Sequence, residues 1–452
     1  MKINYLTVFL ILLLTWMSSC KKAVEIPDSK NQIDAKAVFS DSTLSTAALL
    51  SVYSLFATNI HNGSKFLSLY CDDCIHTAPG TGTSLLQFNQ SVLSTNNPDN
   101  AALWAALYSA IYQSNALIAA MESPIGVSKG AAEQISAEAR FLRAFAYLYL
   151  VQLYDHVPLI LTTEVEINRT AGQANRDEVI EQVISDLSLA KAILPVTYIG
   201  NGKVRANKWA AVALLSRAFL LKEDWIGAET ESDQIISSGN YLPLPKPEDV
   251  FLAGSIEAVL QFWNQNGFIS DATAVLPSSV SVVPPYVVRP ETLASFENND
   301  GRKSKWIGTN INASLAYNYP AKYRNRATGS TRPEYSTALR ISEQFLIRAE
   351  ARAHLNKGLE AIADLNIIRA RASLSPLPST LSTQETLAAV ARERRTELLG
   401  EWGHRFFDLK RWGIINTVMA LIKPGWRSTA RAFPIPLNET IYNTNLIQNE
   451  GY

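Results

Sequence analysis

The side chains of this 452-residue chain that could support chemistry fall in a few places, and Cys20 is the first. It follows a cationic head, Met1-Lys2, then an apolar run from Leu6 to Met17 that is too short to span a bilayer, then the small pair Ser18-Ser19. Small residues before a cysteine at that distance make a lipoprotein signal, in which the thiol would carry a glyceride thioether and the new N-terminus an acyl group. The second place is Cys71-Asp72-Asp73-Cys74. Its spacing fits a tight disulfide, two free thiols, or half a metal site, and no nearby soft ligands complete the last. No nucleophile elbow, phosphate loop or HExxH pair occurs, and His61, His76, His156, His354 and His404 stand singly. Carboxylates abound, but their presence does not make the spaced pair of a glycosidase. No enzymatic activity and no cofactor are expected. Calcium at the acidic pair stays open without a clear motif.

The third place is the run from Arg392 to Arg411, where Arg392, Arg394, Arg395, Arg405, Lys410 and Arg411 alternate with Glu393, Glu397, Glu401 and Asp408 among Leu, Phe and Trp. Interleaved with apolar residues, such charges suit paired contacts between packed helices, since Arg presents a planar fork to a carboxylate. Structural roles are expected for Glu138, Arg140, Arg143, Glu350, Arg352, Glu397, His404, Arg405 and Asp408. The balance of 41 basic and 41 acidic residues gives no footprint for a nucleic acid.

The elements that must position these groups are mostly helical. The 47% apolar content allows a substantial core. Ser42 or Thr43 can cap a helix reaching about 60, and another run covers 101–122. The clearest stripe is Ile135, Ala139, Leu142, Ala146, Tyr149 and Leu153, ending before Pro158. Further helices are expected at about 176–194, 207–222, 224–238, 338–355, 359–373, 383–400 and 405–412. Short connections, and small residues such as Ala349, Ala353, Ala361 and Ala363 around Gly358, predict antiparallel pairs packed as in tetratricopeptide repeats. Between 241 and 335 prolines and aromatics replace the helical stripe, which predicts loops with short strands. Trp263, Phe268, Tyr286, Trp306, Tyr317, Tyr319 and Tyr323 fall there. The expected organisation is a signal peptide over 1–19, a lipid-anchored tether over 20–41, a helical region over 42–240, a loop-rich insertion over 241–337 and a second helical region over 338–452. The fold class is mainly α.

Several blocks also resemble the SusD/RagB family of Bacteroidetes outer-membrane lipoproteins. They are AEARFLRAFAYLYLVQLYDHVPLI (137–160), LRISEQFLIRAEARAHLN (339–356), LNIIRARASL (365–374), RERRTELLGEWGHRFFDLKRWG (392–413) and FPIPLNETIYNTNLIQNEGY (433–452), in the family's order and spacing. The resemblance implies a non-enzymatic binder that captures an oligosaccharide at the outer membrane and sits as a lid on a SusC-like TonB-dependent transporter. Aromatic faces stack on sugar rings while amides and carboxylates bond hydroxyls. The insertion supplies that inventory in Trp263, Asn264, Gln265, Trp306, Asn310, Asn312, Tyr317, Asn318 and Tyr319. The resemblance also places Asp72 and Asp73 in a loop where relatives carry acidic residues near the ligand. Peptide cargo within the same family, or a helical-repeat scaffold without a small ligand, are the alternatives. Surface exposure is less clear than anchoring, because Lys21-Lys22-Ala23-Val24 precede the first acidic residue, Glu25.

Overall fold

The computed structural model describes residues 35–78 and 80–452, so the leader, Cys20 and residues 20–34 of the expected tether lie outside the described residues. Helix α1 (Ser42–Leu55) is capped one residue earlier than expected. The Asp41 carboxylate accepts from the backbone N–H of Thr43 and Leu44, both at 2.8 Å. A π-helical stretch, Phe56–Ile60, leads into α2 (Gly63–Tyr70). By composition 42–70 could cross a bilayer, but Leu49, Val52 and Phe56 are fully buried in the core, which makes it a core segment.

Four further helices follow: α3 (Pro98–Glu122), α4 (Lys129–Tyr154), α5 (Arg176–Ile193) and α6 (Lys208–Lys222), with α7 (Trp225–Ser237) joined to α6 by a two-residue turn. Asn97, Ser128, Asn175, Asn207 and Asp224 cap them, and Asn175 with Glu178 closes a reciprocal capping box. From Ala137 to Tyr154, α4 is buried almost all round, more than the one-sided stripe of its sequence suggests. The second helical region holds α9 (Ile341–His354), α10 (Gly358–Arg371), α11 (Thr383–Glu397) and α12 (His404–Arg411). Each helix from α3 to α7 packs on the next, α7 packs on α9, and α9 packs on both α10 and α11. This is the expected array of hairpins. Ala349, Ala353 and Ala361 are buried at the crossing, whereas Ala363 is exposed because two residues along a helix turn the side chain to another face.

Helices α7 and α9 are neighbours in space although the loop-rich segment separates them in sequence. That segment leaves the array and returns to it, and its ends are tied by strand β2 (Ala258–Phe262) pairing antiparallel with strand β6 (Ser336–Arg340). Every residue of both strands is buried. Between them lie α8 (Ile269–Val275), β3 (Tyr286–Val288) and the hairpin β4 (Ile307–Asn312) and β5 (Leu315–Pro320). Strand β1 (Cys74–His76), after α2, pairs with β3.

The expected charge pairs are present, and they reach further than the 392–411 run. Arg340 donates to Glu401 from Nε and Nη2 (2.8 Å each) and to Glu397 from Nη1 (2.5 Å), and Arg302 bridges Asp300, Glu393 and Glu397. Arg371 pairs with Glu397, and Lys322 with Glu401. Asp300, Arg302, Lys322 and Arg340 come from the insertion and its closing strand, so this buried knot fastens the insertion to α10, α11 and the turn after them. A second knot joins Arg394 to Asp408, Arg411 to Asp408 and Glu350, and Arg217 to Glu343. Glu138 pairs with Arg205, and Asp186 with Arg140 and Arg143. Arg352 bonds Asp364 and Glu229.

Candidate functional site

Two segments singled out by sequence meet on one face. The β1–β3 pairing (Cys74↔Val288, His76↔Tyr286) joins the loop after α2 to the insertion, and Thr77 Oγ1 adds a bond to the Pro284 carbonyl at 2.8 Å. Strand β5 lies beside β3. The junction of α2, α8, β3 and the end of β5 frames a small cleft of about 90 Å³.

The cleft wall combines apolar rings with a few polar groups. Phe268 and Tyr286 line it together with Pro320. Asp271 Oδ1 sits 3.8 Å from Lys65 Nζ and 4.0 Å from His61 Nε2, and Lys65 Nζ donates to Asn62 Oδ1 (2.9 Å), so the carboxylate and the remaining ammonium protons keep capacity to bond a third group. Burial pushes the His61 pKa down to about 4, only partly offset by Asp271, so its imidazole is neutral and shares a 2.7 Å hydrogen bond with Ser336 Oγ. The Ser64 hydroxyl, also in the wall, is buried without a protein partner. Glu401 shares the cleft but is held by Lys322 and Arg340, which removes it as the second free carboxylate a glycosidase would need.

The sequence candidates fare unequally. Trp263 is 54% exposed and stands five residues before Phe268. Asn264 is half-buried and accepts from the Asn266 N–H (3.0 Å), closing its own turn. Tyr317 and Tyr319 share one face of the hairpin and are half-buried. Tyr319 stands opposite Gly308, where an added Cβ would come within 2.2 Å of its ring. Asn310 and Asn312 staple the 279–282 loop to the hairpin through their side-chain amides.

Three candidates need correction. Trp306 has no exposed surface. Its indole N–H donates to the Pro247 carbonyl (2.8 Å) and its ring lies 4.4 Å from Lys322 Nζ, which makes it a pillar of the ionic knot. Asp72 and Asp73 are 2% and 3% exposed, so neither presents a carboxylate to a ligand. Asp72 receives two 2.7 Å bonds from Arg405 and lies 2.9 Å from the Arg395 guanidinium, whose Nη2 donates to Thr292 Oγ1. Burial alone would raise its pKa, but Arg405 and then Arg395 hold it below the ordinary value. Asp73 is pushed up to about 6 by burial and by the Asp72 charge. Cys71 and Cys74 are buried free thiols, with pKa values raised by burial. Ligand atoms of Cys71, Asp72 and Asp73 lie within 4.8 Å of one another, but a cation there would face the Arg405 and Arg395 guanidiniums already spent on Asp72. His61, Lys65 and Asp271 were not singled out, because a lone His, Lys and Asp carry no motif and α2 is too short to show periodicity.

Asp73 gives a pH-dependent prediction. A carboxyl whose folded pKa lies above its unfolded value of about 3.9 favours folding when protonated, so its contribution is present below about pH 4 and lost as pH rises through about 6. Asp73→Asn should therefore gain stability relative to wild type between pH 4 and pH 7, by on the order of 2 kcal/mol. Urea unfolding at the two pH values checks this, and a pH-independent difference contradicts it.

Comparison with known proteins gives consistent matches. Residues 27–220 match a family described as "Starch-binding associating with outer membrane", and residues 294–452 match the SusD family. The SusD-like protein P25 of Formosa agariphila is 25% identical over an alignment covering all of both chains. The starch-binding protein SusD of Bacteroides thetaiotaomicron is 33% identical over 123 residues, 25% of this chain and 21% of that one. Among solved structures, a laminarin-binding SusD-like protein superposes with a TM-score of 0.79 at 22% identity, covering 92% of this chain and all of the other. The surface glycan-binding protein A of Bacteroides fluxus gives 0.76 at 21% identity, covering 91% and 99%.

Proposed function

Given that this chain belongs to the SusD/RagB family, we propose that it is a non-enzymatic lipoprotein of the outer membrane, facing the cell exterior. It captures an oligosaccharide at the cleft face and passes it to a SusC-like TonB-dependent transporter. The observation that carries the reading is the neighbourhood of the cleft: the half-buried rings of Tyr317 and Tyr319 on the adjoining hairpin and, in the cleft, the Asp271 carboxylate and Lys65 ammonium, which the protein leaves incompletely bonded. A pyranose offers an apolar ring face for the former and hydroxyls for the latter. The laminarin-binding and glycan-binding neighbours support carbohydrate as the cargo. Anchoring through Cys20 rests on the sequence of the leader.

Affinity electrophoresis of the chain from residue 21 against plant, fungal and host polysaccharides tests the cargo. Retardation by one polysaccharide class is expected. Silence on every glycan, with binding to oligopeptides, would replace sugar by peptide.

The hairpin offers a finer probe of the same face. Gly308→Ala puts a methyl where the Tyr319 ring lies and should swing that ring away. Glycan affinity should fall severalfold while the melting temperature moves by no more than a few degrees. Unchanged affinity would remove Tyr319 from the binding surface.

A further inference from the structure

The cleft is too small for a sugar ring. Its volume is about 90 Å³, whereas an apolar cavity that takes in one benzene ring measures about 150 Å³. A pyranose with its hydroxyls is larger than benzene, so a bound ring stays outside on the face and only a substituent enters. Phe268, Ala272, Val275, Tyr286 and Leu399 give the cleft an apolar wall. The Phe268 ring is fixed by its neighbours, with its centroid 4.3 Å from that of His61 and 4.2 Å from that of Tyr323. Such a wall suits a methyl group.

The polar groups narrow the choice. Thr46, Thr58 and Ser68 turn their hydroxyls back to the carbonyl four residues earlier, at 2.7, 2.7 and 3.0 Å, the usual habit of a hydroxyl in a helix. Ser64, on the same run and lining the cleft, makes no such bond; it is 5% exposed and its hydroxyl has no partner among the described residues. A buried hydroxyl in that state is a donor in want of an acceptor. Asp271 supplies the opposite need, an acceptor whose nearest bonded donor among the described residues is the Ser270 hydroxyl at 3.5 Å. Charge excludes an ionic guest: Lys65 and Lys322 in the wall are offset by Asp271 and Glu401. We infer that the cleft takes the acetamido group of an N-acetylated sugar, with its methyl against Phe268 and Val275, its carbonyl oxygen accepting from Ser64 and its N–H donating to Asp271. The inference rests on the glycan capture proposed above and names the sugar class.

The test is saturation-transfer NMR on the chain from residue 21 with N-acetylglucosamine and N-acetylgalactosamine, each titrated beside glucose and galactose. The acetyl methyl protons should take the largest saturation, and the plain hexoses should bind at least tenfold more weakly. Ser64→Ala removes only an unpartnered hydroxyl, so it should keep the melting temperature and weaken the acetamido sugars at least fivefold. Hexoses that bind as well as their acetamido counterparts overturn the inference, as does unchanged affinity in Ser64→Ala; either result leaves glycan capture standing. Retardation only by polysaccharides that carry no acetamido group has the same meaning. Methyl saturation from N-acetylalanine methylamide with none from any sugar, and no retardation by any polysaccharide, assigns the cleft to peptide and overturns the inference and the proposed function together.

Discussion

Arg340→Ala is expected to destabilise the fold by about 3–5 kcal/mol, the range for removing one partner from a buried ion pair. Arg340 is 2% exposed and spends its guanidinium on three carboxylates. Two bonds go to Glu401, Nη1 reaches Glu397 (2.5 Å) and Glu257 (3.2 Å), and Nη2 also takes the Glu397 carbonyl (2.7 Å). Burial already raises the Glu257 pKa against the pull of Arg371 and Arg340, so losing Arg340 leaves an acidic cluster with too little positive charge. Because Arg340 closes β6 at the base of the insertion, the loss should also loosen the segment that carries the candidate site. Arg340→Lys should cost less but not restore wild type, since an ammonium cannot bond two carboxylates as a planar fork does. Denaturant unfolding checks the ordering. A change under about half a kcal/mol for Arg340→Ala would mean the knot contributes no net stability.

The two tryptophans should separate cleanly. Trp306→Ala removes a fully buried indole that bonds Pro247 and lies under Lys322, and is expected to cost about 3–5 kcal/mol. Trp263→Ala removes an exposed ring and should leave the melting temperature within a few degrees, while weakening glycan binding by about tenfold, or 1.4 kcal/mol. Thermal unfolding and titration with the retarding oligosaccharide distinguish them. If Trp263→Ala binds as wild type, the ring is surface without function.

Both residues looked alike in sequence, as aromatics of one insertion, and the difference between them is tertiary. Trp306 ends a short helix that packs on the Pro247 turn, whereas Trp263 lies one step beyond the last buried residue of β2. Asp72 and Asp73 misled for a related reason, since the guanidinium that claims Asp72 comes from a residue 333 positions along the chain. By contrast, local signals carried the helices well. The period of 135–153 and the dense charges of 392–411 each depend on near neighbours. Helix α3 begins at Pro98 and not near 101, because Asn97 and Pro98 form a cap that a reading of apolar periodicity passes over. The hairpin β4–β5 turns through Ala313 and Ser314, both left-handed, where the usual Asn-Gly signal is missing. The convergence of His61, Lys65 and Asp271 depends on α2 meeting α8 across 200 residues of chain, and no spacing rule announces it.

The most direct measurement is calorimetric titration of the chain from residue 21 with the oligosaccharide class that retards it, alongside Asp271→Asn and Trp263→Ala. Asp271 has its carboxylate in the cleft without a close salt bridge, so its amide variant should keep the fold. Capture of sugar at this cleft predicts that Asp271→Asn binds at least tenfold more weakly with a near-native melting temperature, and a binding face that extends beyond the cleft to Trp263 predicts the same of Trp263→Ala. Wild-type affinity in both, at unchanged stability, would place the ligand elsewhere on the molecule.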